Sequence, residues 1–511
     1  MSTLLAVVMI TAATWPGYSQ PRYGGHATAP LHSRPLTLDP VRTERIGEWQ
    51  AALLLYDGLM RLTQQGRAPV HHLATKVWLG SRNGRLVVVD LRSGVRSHHG
   101  HVLTAADVVA SLQRLSRAPG GWVVGTVKSL QAVGTTRVRV ELHRPTPELT
   151  AVLAAPTALI TPRGHAPGRR LDGTGPFRYV RGGLGQELQL SAYARHFAGR
   201  PFISTLRLVP YRRHRDEIQA FYLSRSLVSF QGTRVFGRTP GFPARRLLSP
   251  AITTVSLLTG SSGPVTDRRV RQAIYLAANK LRLRKLVTVA PTRPAHGPVP
   301  PVFLGPRARR QARQAAPYSP ARARRLLGAA AANPVVAARR DSGGQLALNL
   351  LVDRSRHRDL DAARKLMADL SAVGIRVTIT PLTAARFAAQ CRAGQFDLAL
   401  TRFTSPVLRA RYHLAAGLAA AGQRTEARRL VRARRALLTR RIRDFMRDLP
   451  LIPLFHVGVR ADVSSSIFYL QQGPWGLFDW AGAHFAGGRP PLRLRHARGL
   501  GRLGLWPSMG S

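Results

Sequence analysis

LRSGVRSHHGHVLTAADVVASLQRL, residues 91–115, holds three local signals that depend on one another. The apolar run Leu86-Val87-Val88-Val89 feeds it and stops at Arg92-Ser93-Gly94, a strand followed by a turn. A second turn sits at His99-Gly100. Thr104 then stands three residues before Asp107, an N-cap with a first-turn acid, and Val108, Val109, Leu112 and Leu115 follow at helical spacing. The stretch therefore predicts strand, turn and capped helix.

Working outward, Leu130–Val133 and the alternating Val138–Leu142 flank a turn at Gly134-Thr135-Thr136 and predict a strand pair. Upstream, a short strand opens at Tyr23-Gly24-Gly25, and a helix is expected from Ile46 to about Leu62 with Ile46, Trp49, Leu53, Leu54 and Leu59 apolar. Downstream, Gly173-Thr174-Gly175-Pro176-Phe177 contains a GxG, but a strand follows it and no helix start, so it reads as a tight turn rather than a phosphate cradle. From Thr253 onward, strands (Thr253–Leu258, Leu346–Val352, Gly374–Val377, Phe396–Leu400) alternate with helices (one carrying Val270, Ile274 and Ala277, another Leu360–Val373), the pattern of an α/β body.

At 511 residues the chain is too long for one core and long enough for two or three domains. It carries 77 Lys+Arg against 24 Asp+Glu, net +53, and the only lysines are Lys76, Lys128, Lys280, Lys285 and Lys365. An arginine excess of this size attracts polyanions. The arginines are nevertheless spread along the whole chain, whereas a nucleic-acid module gathers them on one face. The segment Glu426–Asp448 reads as one helix with Leu430, Leu437, Leu438, Ile442, Phe445 and Met446 on an apolar face and arginines elsewhere. That is a solvated cover over a core, with a polyanion groove as the other reading.

Cys391 is the lone cysteine, which excludes an intrachain disulfide and a multi-cysteine metal site; at helical spacing from Phe387 it reads as a small buried residue. His98, His99 and His101 could approach a divalent metal, but histidines in a tight turn point apart, so no metal or cofactor is expected. P-loop, GxSxG, HExxH and paired-carboxylate patterns are missing, which makes an enzyme the weaker class. Leu4–Ala13 is mostly apolar and precedes Pro16-Gly17-Tyr18-Ser19-Gln20, so residues 1–20 read as a secretory signal peptide, although without its basic n-region. No later run reaches the roughly eighteen apolar residues of a membrane span. Residues 487–511 form a basic tail without periodicity.

The order of phrases resembles the family 5 extracellular solute-binding proteins, the peptide, opine and nickel binding components of ABC importers. Leu91, Arg92, Gly94, Val95, His98, Gly100, Leu103, Thr104, Ala105, Asp107, Val108 and Val109 match its signature segment, and His99 departs from it where the family has Asp. Tyr56-Asp57-Gly58-Leu59, Leu73-Ala74 with Trp78, Gly173–Phe177, Ala194–Phe202, Asp267–Lys280, Pro294–Pro301 and Leu449–His456 are similar to further family phrases, collinear from about residue 22 to 480.

The resemblance implies an α/β, two-lobed periplasmic-binding-protein fold of type II, cluster C-like, with an extra small subdomain and a hinge. Lobe I is expected from 21–45, 170–248 and 455–486, the inserted subdomain from 46–169, and lobe II from 249–454. It implies a monomeric, periplasmic protein that closes on a small solute and presents it to ABC permease subunits, with neither chemistry nor cofactor. A polyanion-binding protein or a non-transporting paralogue on the same scaffold is the alternative. Peptide binders of the family carry an aspartate for the ligand's ammonium after the strand equivalent to Phe396–Leu400; here Thr401-Arg402-Phe403-Thr404-Ser405-Pro406 follows, with no carboxylate before Glu426. A neutral or anionic solute is therefore expected. Arg402, Phe403 and Thr404 are placed at the cleft wall, with Trp122 and Phe455 as apolar contacts.

Overall fold

The computed structural model describes residues 21–63, 68–164, 171–231, 244–287, 290–306, 309–310, 318–434 and 437–485. The signal-peptide and tail expectations fall outside these residues.

The signature stretch folds as its residues dictate. The strand Leu86–Leu91 pairs with Ala74–Leu79 and Arg137–Leu142, and Val127–Val133 completes a four-stranded antiparallel sheet. Thr104 starts the helix Ala105–Arg117 with a capping box, its N–H and hydroxyl each donating to the Asp107 carboxylate at 2.7 Å. Val108, Leu112 and Leu115 are fully buried against the sheet, and Arg114 and Arg117 sit in the last turn, where cations favour the helix dipole.

The first body is built on a second four-stranded sheet, in order His26–Pro30, Thr205–Val209, Leu188–Ala192, Phe177–Gly182. The helix Ile46–Leu55 covers it and ends about seven residues short of expectation, because Tyr56 turns extended and Leu59 leads into the strand Met60–Leu62. What holds that end is the GTG phrase. A Cβ on Gly173 would lie 1.9 Å from the Leu55 carbonyl oxygen and one on Gly175 2.5 Å from that of Leu54, so only glycine lets the backbones meet. His98 locks the same junction: its N–H donates to Gly173 O at 2.8 Å, and its ring sits 2.9 Å from Gly175 O.

The second body is a six-stranded mixed sheet, in order Thr292–Pro294, Leu451–Val457, Thr253–Thr259, Leu398–Phe403, Leu346–Asp353, Ile375–Leu382. Alternate residues feed opposite faces. Leu346, Leu348, Leu350 and Val352 pack with the helices Arg268–Ala277, Pro320–Ala330 and His357–Ser371, whereas Leu351 and Ala399 face Ala384–Ala393 and Ala410–Ala420. The arginine-rich segment is two helices, Arg424–Arg432 and Leu438–Asp448, with Ala433 extended between them, rather than the single helix expected from the sequence. Ala410–Ala420 is a further helix that the sequence reading did not separate.

Two chain crossings join the bodies side by side. Leu248 leads through Ser249–Ile252 to Thr253, and Val457 through Gly458-Val459 to Arg460. Ser249 N–H donates to Val459 O and Val459 N–H to Ser249 Oγ, both at 2.8 Å. A Cβ on Gly458 would meet Ser249 O at 2.4 Å, so glycine is what allows the crossings to touch. Arginine's surplus over acid is absorbed partly by backbone: Arg271 donates to the carbonyls of Val265, Thr266 and Asp448, and Arg340 to those of Leu327 and Gly344. No helix among the described residues is long and apolar enough to cross a membrane.

Candidate functional site

In an open α/β sheet the binding crevice lies beyond the carboxyl ends of neighbouring strands whose onward connections leave in opposite directions. The six-stranded sheet has one such place. Leu346–Asp353 leaves through the helix His357–Ser371 to Ile375–Leu382 on one side, and its parallel neighbour Leu398–Phe403 leaves through Ala410–Ala420 toward the other. The crevice is therefore bounded by Asp353–Arg356 and Arg402–Ser405.

Charge is concentrated there. Arg402 is ion-paired with Asp359, whose side chain is buried in the first turn of its helix. Arg356 lies 3.7 Å from Asp353 and 4.0 Å from Asp359. It keeps a third of its side chain open. Burial first, and then Arg402, press its pKa down; Asp359 and Asp353 pull it back, and Arg45 of the first body adds to the downward push. Arg356 and Arg402 thus share the carboxylates of Asp353 and Asp359, and Arg45 of the first body adds positive charge nearby.

Behind the crevice strand end lies a buried aromatic cluster. Trp49 and Trp475 meet edge to face with ring centres 5.8 Å apart, and Ile252, Leu408 and Leu477 close the cluster. Trp475 Nε1 donates to the Ser405 carbonyl at 2.9 Å and so ties the first body to the end of the crevice strand.

Of the residues singled out from sequence, Arg402, Phe403 and Thr404 come together at this strand end. Arg402 is neutralised there by Asp359. Phe403 is buried with its ring 5.1 Å from His413, and Thr404 Oγ1 donates to Ile252 O at 3.3 Å. The other two are elsewhere. Phe455 has no exposed surface inside the sheet core, and Trp122 is packed in the short turn Gly121–Val124 beneath the helix Arg424–Arg432, so neither offers a face to the crevice. Arg356, Asp359, Arg45 and Trp475 were missed. The signal for Arg356 was its place at a strand-to-helix junction of the sheet's strand-helix-strand run.

The histidine-rich turn disperses as expected: His98 faces Gly175 O at 2.9 Å, His99 Asp172 at 3.3 Å, and His101 Asp107 at 3.1 Å. Cys391 is half-buried, with its thiol pushed up to about 11 by burial, which keeps it protonated at neutral pH.

Two α/β bodies joined by paired crossings, with a charged crevice at the strand ends between them, define a two-lobed binding protein of the type II periplasmic class. The family model of the bacterial extracellular solute-binding proteins, family 5 Middle, matches residues 68–422, and the chain belongs to that family. It is 25% identical over 393 residues to the di/tripeptide-binding protein 2 of Pseudomonas aeruginosa, covering 68% of this chain and 70% of that one. It is 24% identical over 307 residues to the glutathione-binding protein GsiB of Salmonella typhimurium, spanning 57% of this chain and 58% of the relative. Among solved structures, the murein tripeptide binding protein MppA of Escherichia coli superposes with a TM-score of 0.77 at 16% identity, over 92% of this chain and all of that one. The unliganded open form of MppA gives 0.58. A dipeptide binding protein from Pseudoalteromonas, in complex with Met-Leu, gives 0.76 at 16% identity, over 90% of this chain and all of that one. These relatives are binding proteins rather than enzymes.

Proposed function

We propose that this chain is the extracytoplasmic solute-binding subunit of an ABC importer, monomeric and exported by its N-terminal leader, and that it encloses a solute bearing a carboxylate in the crevice between its lobes. The carrying observation is Arg356, placed at the crevice strand end with a third of its side chain open and with the positive charges of Arg402 and Arg45 acting on it. A desolvated guanidinium in that setting favours an anionic group that can take two parallel hydrogen bonds. Asp353 and Asp359, the latter shared with Arg402, then hold Arg356 in place. Arg45, across the crevice, completes the charge around the ligand when the lobes meet. The better superposition on a ligand-bound relative, the Met-Leu complex at 0.76, than on the unliganded open form of MppA at 0.58 supports reading this structure as a closed state. The protein performs no chemistry: the closed form binds the solute better than the open form does, and the permease reads closure.

Calorimetry with short peptides and opine-type acids, each beside its carboxamide, tests this. The acids are expected to bind and their amides to lose at least about tenfold in affinity, with Arg356→Gln removing the discrimination. Equal affinity of acids and amides for the unaltered protein would overturn the reading.

A further inference from the structure

Away from the crevice, three segments of the first body converge on one small cluster. Asp57 stands just after the helix Ile46–Leu55, His72 just after the strand Pro69–His71, and His196 in the turn between Leu188–Ala192 and Thr205–Val209. One ligand-capable atom from each lies within 4.8 Å of the others. His72 Nε2 is 2.7 Å from Asp57 Oδ1, and His196 Nε2 is 3.4 Å from Asp57 Oδ2. All three side chains are shielded from water: Asp57 and His196 are each 4% exposed and His72 12%. The Phe197 ring covers the cluster, 4.9 Å from His72 and 4.7 Å from His196.

The hydrogen bonding of His196 is what makes the cluster unusual. Its Nδ1 lies 3.2 Å from the Gly199 carbonyl oxygen, which can only accept, so Nδ1 carries a proton. In the neutral ring Nε2 is then a bare lone pair, and it points at a carboxylate oxygen. Neither His196 Nε2 nor Asp57 Oδ2 has a hydrogen-bond partner, although both are buried. Two buried lone pairs facing each other require a positive charge between them. An imidazole that donates Nδ1–H to a carbonyl while presenting Nε2 is also the arrangement of a metal-ligating histidine, with the outer hydrogen bond fixing the tautomer.

We propose that Asp57, His72 and His196 form a binding site for one divalent transition-metal ion, with two imidazoles and a carboxylate as ligands. This donor set suits zinc and its neighbours rather than calcium or magnesium. A metal bound about 2.0–2.2 Å from each donor needs donor atoms roughly 3.3 Å apart; Asp57 and His196 stand at 3.4 Å, Asp57 and His72 would open from 2.7 Å, and all three donors already lie within 4.8 Å. Because its donors come from three separate segments, the ion ties the end of the first helix, the hairpin after Met60–Leu62 and the turn after Leu188–Ala192 into one rigid unit. It is independent of the solute crevice.

The test uses the full chain stripped with a chelator and titrated with Zn²⁺, read by dye competition and by thermal unfolding. One ion per chain is expected to bind and to raise the unfolding temperature. His196→Gln and His72→Gln, each checked for folding by circular dichroism, should weaken that ion by more than about tenfold, the loss that even an outer hydrogen-bond partner of a ligand causes. His99→Ala, at the exposed histidine turn, should leave it unchanged. X-ray absorption of the zinc-loaded protein should show imidazole scattering from two rings. Absence of a zinc-dependent rise, or an equal rise in the folded His196→Gln protein, would overturn the proposal. So would a metal-free protein whose stability depends on pH through this cluster while zinc leaves it unmoved.

Discussion

Thr254 Oγ1 lies 2.9 Å from His413 Nε2 and 3.0 Å from His456 Nδ1, and both rings are buried in the core behind the crevice strand. Burial pushes His456 down from 6.5 to about 3 and moves His413 in the same direction; His32, stacked on Phe230, falls to about 4. A group whose folded pKa is depressed gives stability that is complete above its unfolded pKa and is lost as the pH falls toward the folded one. The window therefore opens near 6.5 and runs down to about 3–4. His456 and His32 are each expected to remove about 2 kcal/mol of unfolding free energy between pH 7.5 and 5, with His413 acting in the same direction. Urea unfolding at the two pH values reads this, and His456→Gln should flatten the dependence; an unchanged slope counts against it. Arg402 shows what the sequence could and could not yield at this scale. Its position at a strand end was legible, but its neutralising partner Asp359 lies 43 residues away, and pairing across that distance is a property of the sheet. Replacing Asp359 by Asn would leave Arg402 and Arg356 facing each other. Since both arginines retain some solvent, a loss of about 2 kcal/mol is expected, below the full cost of a broken buried pair. The double variant Asp359→Asn with Arg402→Gln should recover part of it, which urea unfolding would detect.

Elements were legible where their ends are fixed locally and obscure where a distant segment fixes them. The helix Ala105–Arg117 starts at Thr104 because Asp107, three residues on, answers it, and both residues lie in one short phrase. Asp107 also receives His101 at 3.1 Å and the N–H of Arg163. Its replacement by Ala should therefore cost about 2 kcal/mol, the upper end for a cap, in chemical unfolding; Asp107→Asn, which keeps two acceptor lone pairs, should cost less. The helix Ile46–Leu55 is the contrary case. Leu59 continues its apolar spacing, and the true end depends on Gly173 and Gly175, more than a hundred positions away, closing on its last carbonyls. The break at Ala433 was hidden for a similar reason: its carbonyl accepts from Arg411 at 2.9 Å, a partner that no periodicity within Glu426–Asp448 can reveal.

On the scale of the molecule, collinear phrases carried the two-lobed fold, while the lobe-to-lobe contacts were invisible, since they join residues hundreds of positions apart. Arg411 reaches Glu148 at 2.8 Å, Arg428 donates to Ser116 O at 2.9 Å, and Arg432 donates to Gly125 O at 2.7 Å. All three run from the helices on the second sheet to the segment around the signature helix. Val431 packs so closely there that a Cβ on Gly125 would lie 2.8 Å from its methyl carbon. On the reading that this is the closed state, these contacts belong to closure and are absent when the lobes part. Arg428 and Arg432 touch neither the crevice arginines nor Trp475, so their removal acts on the open–closed equilibrium and not on the ligand's own contacts. A hydrogen bond from a charged donor is worth about 1.5–3 kcal/mol when sheltered and less at an exposed position such as Arg428. The pair together should shift the equilibrium by about 1–2 kcal/mol toward the open form. Because apparent affinity scales with the fraction of competent protein, Arg428→Gln with Arg432→Gln should weaken solute binding roughly tenfold. The association rate should be nearly unchanged and the dissociation rate raised, with a larger radius of gyration for the ligand-free variant by small-angle scattering. An unaltered radius together with unaltered affinity would mean that the contact persists in both states, and that the signature segment moves with the second lobe.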